Sequence, residues 1–159
     1  MAIRNIRLIG DKALTKQCKE IVEMSPKIEI FIEDMFDTMY NANGVGLAAP
    51  QIGILKRLVV IDVSPEADSP IVLINPVIIE TRDEQTGEEG CLSVPGKSGT
   101  VTRPNYVKVK ALNEHMDEII VEGTELLARA LCHEIDHLEG LLYVDKVIGG
   151  LHSSSDDED

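Results

Sequence analysis

The sequence predicts a single α+β domain. Two helical patterns flank a middle rich in Val and Ile, and 159 residues suit one hydrophobic core. Hydrophobic residues make up 43% of the chain but aromatics only 3%, with no Trp, so Ile, Leu and Val must do most of the packing. No internal repeat or interdomain linker divides the chain.

Each element has a local reason. Ser25-Pro26 reads as a helix start, because Ser can cap and Pro suits the first turn. Ile28, Phe31, Ile32, Met35, Phe36 and Met39 then recur at helical spacing, and Gly44 is the expected stop. That stripe is read as core. Residues 44–53, GVGLAAPQIG, hold too much Gly and Pro for a regular helix. Residues 56–63 and 71–80 are rich in Val and Ile and read as strands. Residues 101–111, with Val107 and Val109 alternating against Lys108 and Lys110, read as another, and 119–121 as a short one. Gly123 breaks that run. A second helix is expected over 124–138, with Gly140 ending it. On it Leu126, Ala130, His133 and His137 fall at i, i+4, i+7 and i+11 and share one face.

Charge and targeting narrow the function classes. The formal net charge is −13, so a phosphate backbone would be repelled and nucleic acid is not an expected ligand. No apolar run reaches the roughly 18 residues of a membrane span, and the N-terminus lacks a signal-peptide pattern. The expected location is the cytoplasm. Three scattered cysteines do not form a disulfide framework.

The sharpest local pattern is His133-Glu134-Ile135-Asp136-His137. Two His four apart on a helix point the same way and can bind one divalent ion, and the Glu beside the first can act as general base. The bland alternative is a pair of surface His, but here they continue the apolar stripe and should face inward. The motif supplies only two ligands, whereas a catalytic site needs a third plus an open position. Downstream, Glu139 is too close along the helix and His152 sits near the end. Upstream, Cys91 lies in EEGCLSVP, flanked by Gly and Pro. From the residues alone it is either a ligand or a small buried hydrophobe. Cys18 and Cys132 read as packing and His115 as surface.

Three segments together resemble the peptide deformylase family. They are GVGLAAPQ at 44–51, EGCLS at 89–93 and HEIDHL at 133–138, and the similarity runs from about Ile3 to Asp145. The resemblance implies antiparallel or mixed sheets around a central helix carrying HExxH. It implies that Cys91, His133 and His137 bind one divalent metal ion, iron(II) natively, with zinc, nickel or cobalt as substitutes. It further implies removal of the formyl group from formyl-methionine at the start of new polypeptides. Water at the metal attacks the formyl carbon, Glu134 serves as general base and acid, and Gln51 and the Leu92 backbone N–H stabilise the oxyanion. The exposed backbone of Gly44, Val45 and Gly46 suits pairing with an extended peptide. Val45, Leu126, Ala130 and the edge of His133 are the expected walls of the methionine pocket, with Glu89 and Gly90 shaping it. Asp136, beside a ligand, is expected to pair with Arg103.

Two departures accompany the resemblance. Cys132 stands where the family usually has Gln. Many bacterial members also continue past the region of Asp145 into a long basic helix linked to ribosome docking, whereas this chain has KVIGGL and then an acidic end. Docking of that kind is not expected. Residues 1–150 are expected to form the catalytic domain and 151–159 a disordered acidic tail. The rival readings are an HExxH endopeptidase with a Glu or His third ligand, and a non-catalytic metal-binding module.

Overall fold

The computed structural model describes residues 2–153. Helix α1 spans Pro26–Asn41, and the Ser25 hydroxyl accepts the Ile28 amide hydrogen bond at 3.3 Å. The helix stops three residues before the expected Gly44. Asn43 takes the left-handed conformation, φ 58°, and the Gly44 amide donates back to the Met39 carbonyl at 2.9 Å. Asn can fill that capping position as Gly does.

Strands β1 (Gly46–Ala48), β2 (Leu58–Ile61), β3 (Ile71–Cys91), β4 (Val94–Leu112) and β5 (Glu118–Thr124) form one antiparallel sheet in that order, and β6 (Ile148–Ser153) pairs with β4. The segment read as irregular thus contributes an edge strand, pairing Gly46 with Ile61 and Ala48 with Val59, followed by a short 3-10 turn at Ala49–Ile52. Strand β3 runs eleven residues beyond Glu80, where the expected strand ended. Its extension is largely polar and pairs with β4 across a long hairpin, and from Gln85 to Cys91 alternate residues turn inward, Glu89 most deeply.

The sheet separates two cores. Val59, Ile61 and Leu73 pack toward helix α2 (Glu125–Leu138), while Leu58, Val60, Val72 and Ile74 pack toward α1. Alternate residues of a strand point to opposite faces, so a sheet with a helix on each face needs a continuous apolar run such as LVVI. Helix α2 ends before Gly140, whose φ is 79° and where a Cβ would lie 2.6 Å from the Thr15 carbonyl oxygen. Only Gly fits there.

The boundary between domain and tail is expected between residues 150 and 151. It falls inside β6, where Lys97 pairs with Ser153 and Ser98 with His152. The rest of the expected tail, residues 154–159, lies outside the described residues. No described helix is long and apolar enough to cross a membrane.

Candidate active site

Strand β3 and helix α2 bring the three ligand types together. His133 and His137 lie one turn apart on α2, and Cys91 ends β3 just after a register shift between Glu89 and Cys91. Such a bulge re-aims the strand. The ligand atoms of Cys91, His133 and His137 all lie within 4.8 Å of one another. Cys91 Sγ is 3.4 Å from His137 Nε2, and the two His Nε2 atoms are 3.3 Å apart.

That spacing fits a metal. Ligand bonds of about 2.1 Å for nitrogen and 2.3 Å for sulfur in a tetrahedron separate neighbouring donors by roughly 3.4–3.6 Å. Two imidazole nitrogens facing each other gain little without something between them. Burial and the charge on His133 hold the His137 pKa well below the usual value. Burial also opposes a charge on His133, but Glu134, Cys91 and Glu89 outweigh it and raise its pKa well above the usual value. One thiol and two imidazoles form a mixed soft set suited to zinc or iron.

Behind His133, Glu89 accepts from its Nδ1 at 2.5 Å. A carboxylate on the far nitrogen of a ligand His fixes the tautomer and aims Nε2 at the metal. Glu89 itself is held by Arg103 at 2.6 and 3.1 Å and by Arg129 at 2.7 Å. Burial alone would raise its pKa, but the hydrogen bonds from His133 and Arg103 carry it well below the carboxylate range. Arg103 also reaches Asp136 at 2.7 Å, the pairing expected from sequence, and Lys146 joins Asp136 at 3.1 Å.

Glu134 has the opposite surroundings. It is buried, its Oε1 has no hydrogen-bond partner, and Oε2 is 3.9 Å from His133 Nε2. Burial pushes its pKa up to about 7. Gly46 packs directly on it: a Cβ there would lie 2.6 Å from Glu134 Oε2. Gln51 accepts from the Ala48 amide at 2.9 Å, which orients its NH2 toward Ser93 Oγ at 3.0 Å and Cys91 Sγ at 3.5 Å.

A cavity of about 490 Å³ opens over these groups. Its walls include Gly44, Val45, Gly46, Gln51, Glu89, Gly90, Cys91, Leu92, Leu126, Ala130, His133 and Glu134, whereas His137 lies behind them. Val45 and Leu126 are exposed apolar residues at its mouth. Sequence reasoning missed Arg129, which lines the cavity while bonded to Glu89. Its signal was position: Arg129 is one turn before His133 on the same helix face. Glu139 pairs with Arg57 at 2.5 Å, and His152 lies 3.0 Å from Glu88 and 3.2 Å from Ser98. Neither belongs to the ligand cluster.

Comparison with known proteins agrees with this geometry. Residues 3–151 match the sequence profile of the polypeptide deformylase family. A peptide deformylase of Lachnoclostridium phytofermentans is 65% identical, covering 100% of this chain and 99% of its own. The crystal structure of a peptide deformylase from Legionella pneumophila superposes with a TM-score of 0.90 at 47% identity, covering 93% of this chain and 88% of the other. That from Thermotoga maritima superposes with a TM-score of 0.89 at 38% identity, covering 93% and 99%.

Proposed function

The chain belongs to the polypeptide deformylase family, and on that premise we propose that it removes the formyl group from the N-terminal formyl-methionine of newly made polypeptides, releasing formate. The observation that carries this reading is the meeting of Cys91, His133 and His137 within 4.8 Å beside a cavity that also exposes Glu134. Held by those three residues, a divalent ion supplies a Lewis acid that polarises a carbonyl and acidifies water.

The chain's own residues do the rest. Glu134, with one oxygen free of partners, takes a proton from the attacking water and delivers it to the leaving amine as the formyl C–N bond breaks. A buried carboxylate with a pKa near neutrality can do both. The Gln51 NH2 and the Leu92 backbone N–H serve the developing oxyanion. Both Gln51 protons have acceptors in the free protein, so the longer contact, 3.5 Å to Cys91 Sγ, is the one exchanged for substrate. Strand β1 is a sheet edge, and the backbone of Gly44, Val45 and Gly46 beside it pairs with the peptide main chain. Gly90 borders the peptide's path, and Val45, Leu126 and Ala130 enclose the methionine side chain.

Iron(II) is the proposed native ion, supported by the thiol and imidazole donor set, with zinc, nickel or cobalt able to replace it. The proposed place of action is the cytoplasm, where formylated chains are made. Residues 154–159 are proposed to lie outside the catalytic unit, and a chain ending at Ser153 should keep the parent's turnover. A formate-release assay on short formyl-Met peptides, with metal analysis of protein purified without oxygen, tests the reading. Absence of formate from metal-loaded protein would overturn it.

A further inference from the structure

On the deformylase reading, the first side chain of the substrate lies against α2. Leu126, Arg129, Ala130 and His133 fall at i, i+3, i+4 and i+7 and all line the cavity. An apolar methionine pocket explains three of them. It does not explain a guanidinium only 8% exposed in the same wall. Arg129 donates from Nη1 to Glu89 at 2.7 Å and from Nη2 to the Val101 carbonyl at 3.2 Å, which fixes its plane. Among the described residues its Nε–H has no acceptor, and that nitrogen is not sealed from solvent. Gly87 lies beside the guanidinium without crowding it: a Cβ there would be in ordinary contact, 3.5 Å from Nη2.

We propose that Arg129 makes this pocket a site for methionine sulfoxide as well as methionine, so that the chain also deformylates peptides beginning with N-formyl-methionine sulfoxide. Oxidation of methionine keeps the length of the side chain and adds a strong acceptor oxygen on sulfur. An apolar wall would strip water from that oxygen and return nothing, a loss of roughly tenfold to a hundredfold in binding. The guanidinium returns a charge-assisted hydrogen bond. The reaction is the same hydrolysis: the formyl C–N bond breaks, the oxygen of water leaves in formate, the amine gains the proton, and the sulfoxide is unchanged.

The test measures kcat/KM of the metal-loaded full chain on formyl-Met-Ala-Ser and its methionine sulfoxide counterpart. The two values should agree within roughly tenfold. Arg129→Met should shift the ratio at least another tenfold or so against the sulfoxide, whatever it does to turnover of both, and Arg129→Lys should shift it less. Calorimetric titration of Glu134→Gln with each peptide reads the same preference without turnover. Discrimination beyond about a hundredfold by the wild type, or an unchanged ratio in Arg129→Met, overturns the proposal and leaves Arg129 as a support for Glu89. If Arg129→Met fails to fold, the wild-type ratio and Arg129→Lys decide. Failure to cleave formyl-Met at all would instead overturn the deformylase reading.

Discussion

Glu89 and Glu134 face the two nitrogens of His133 and are almost equally buried, at 6% and 4% exposure. Their surroundings push them apart. Glu89 receives Arg103, Arg129 and the His133 Nδ1, and stays ionised. Glu134 receives no cation within ordinary hydrogen-bond reach, and burial raises its pKa to about 7. Burial alone therefore does not set what a carboxylate does. The placement of the cations does, leaving one carboxylate ionised and the other able to exchange a proton near neutrality.

Mutations can break or sharpen that contrast. The largest effect is expected from Glu89→Gln, which leaves Arg103 and Arg129 buried without their shared anion. Chemical denaturation should show a loss of about 3–5 kcal/mol. Chelator competition should show metal affinity falling roughly tenfold to a hundredfold. Unchanged stability would mean that Glu89 is no anchor for them.

Next is Glu134→Gln, which should lower formate release by at least about a hundredfold while the metal stays bound. Its unfolding midpoint should not fall, because relieving a buried carboxylate whose Oε1 has no partner offsets the loss of its 3.9 Å approach to His133. Turnover near the parent's would remove Glu134 from the reaction. A subtler probe is Gly46→Ala. Its Cβ would press on the Glu134 side chain, 2.6 Å from Oε2 and 2.9 Å from Cγ, and displace it. Activity should drop by about tenfold through misplacement, with little change in thermal stability. The smallest effect should come from Asp136→Asn. Asp136 also pairs with Arg103, but its side chain is 17% exposed and shares Lys146. The expected cost is under about 1 kcal/mol by denaturation, and a larger one would extend the anchor to the whole network.

Both helices were legible in sequence because their apolar stripes and caps are local. The HExxH pair was legible for the same reason. Cys91 was not decided by its own residues, since a Cys between strands reads equally as packing; the resemblance made it a ligand, and the structure brings it to the His pair. The long extension of β3 escaped notice because the residues that alternate inward from Gln85 to Cys91 are Gln, Gly, Glu and Cys rather than Val or Ile, so burial left no apolar period in the sequence. Strand β1 was missed because its partner lies beyond the next turn, so only tertiary pairing makes GLA extended. The glycines of β6, Gly149 and Gly150, both have positive φ and gave no strand signal. Arg129 shares the helix face of His133, but only the tertiary fold sets it against a carboxylate on β3.

The long β3–β4 hairpin also bears on how the protein is made. Cys91 and His137 are 46 residues apart. Between them the chain must close the hairpin, add β5 and dock α2 before any three-ligand clamp exists. Non-local contacts of this kind form slowly, because loop-closure entropy is met before they reward it. On the proposed ligand set, metal capture would be a late step that locks α2 onto the end of β3, and an ion present early would find at most the His pair on a nascent helix. During synthesis α2 emerges after every strand of the five-stranded path. A ribosome-bound chain thus has its sheet available before it has its metal centre, and holding the ion then stabilises the finished fold by mass action.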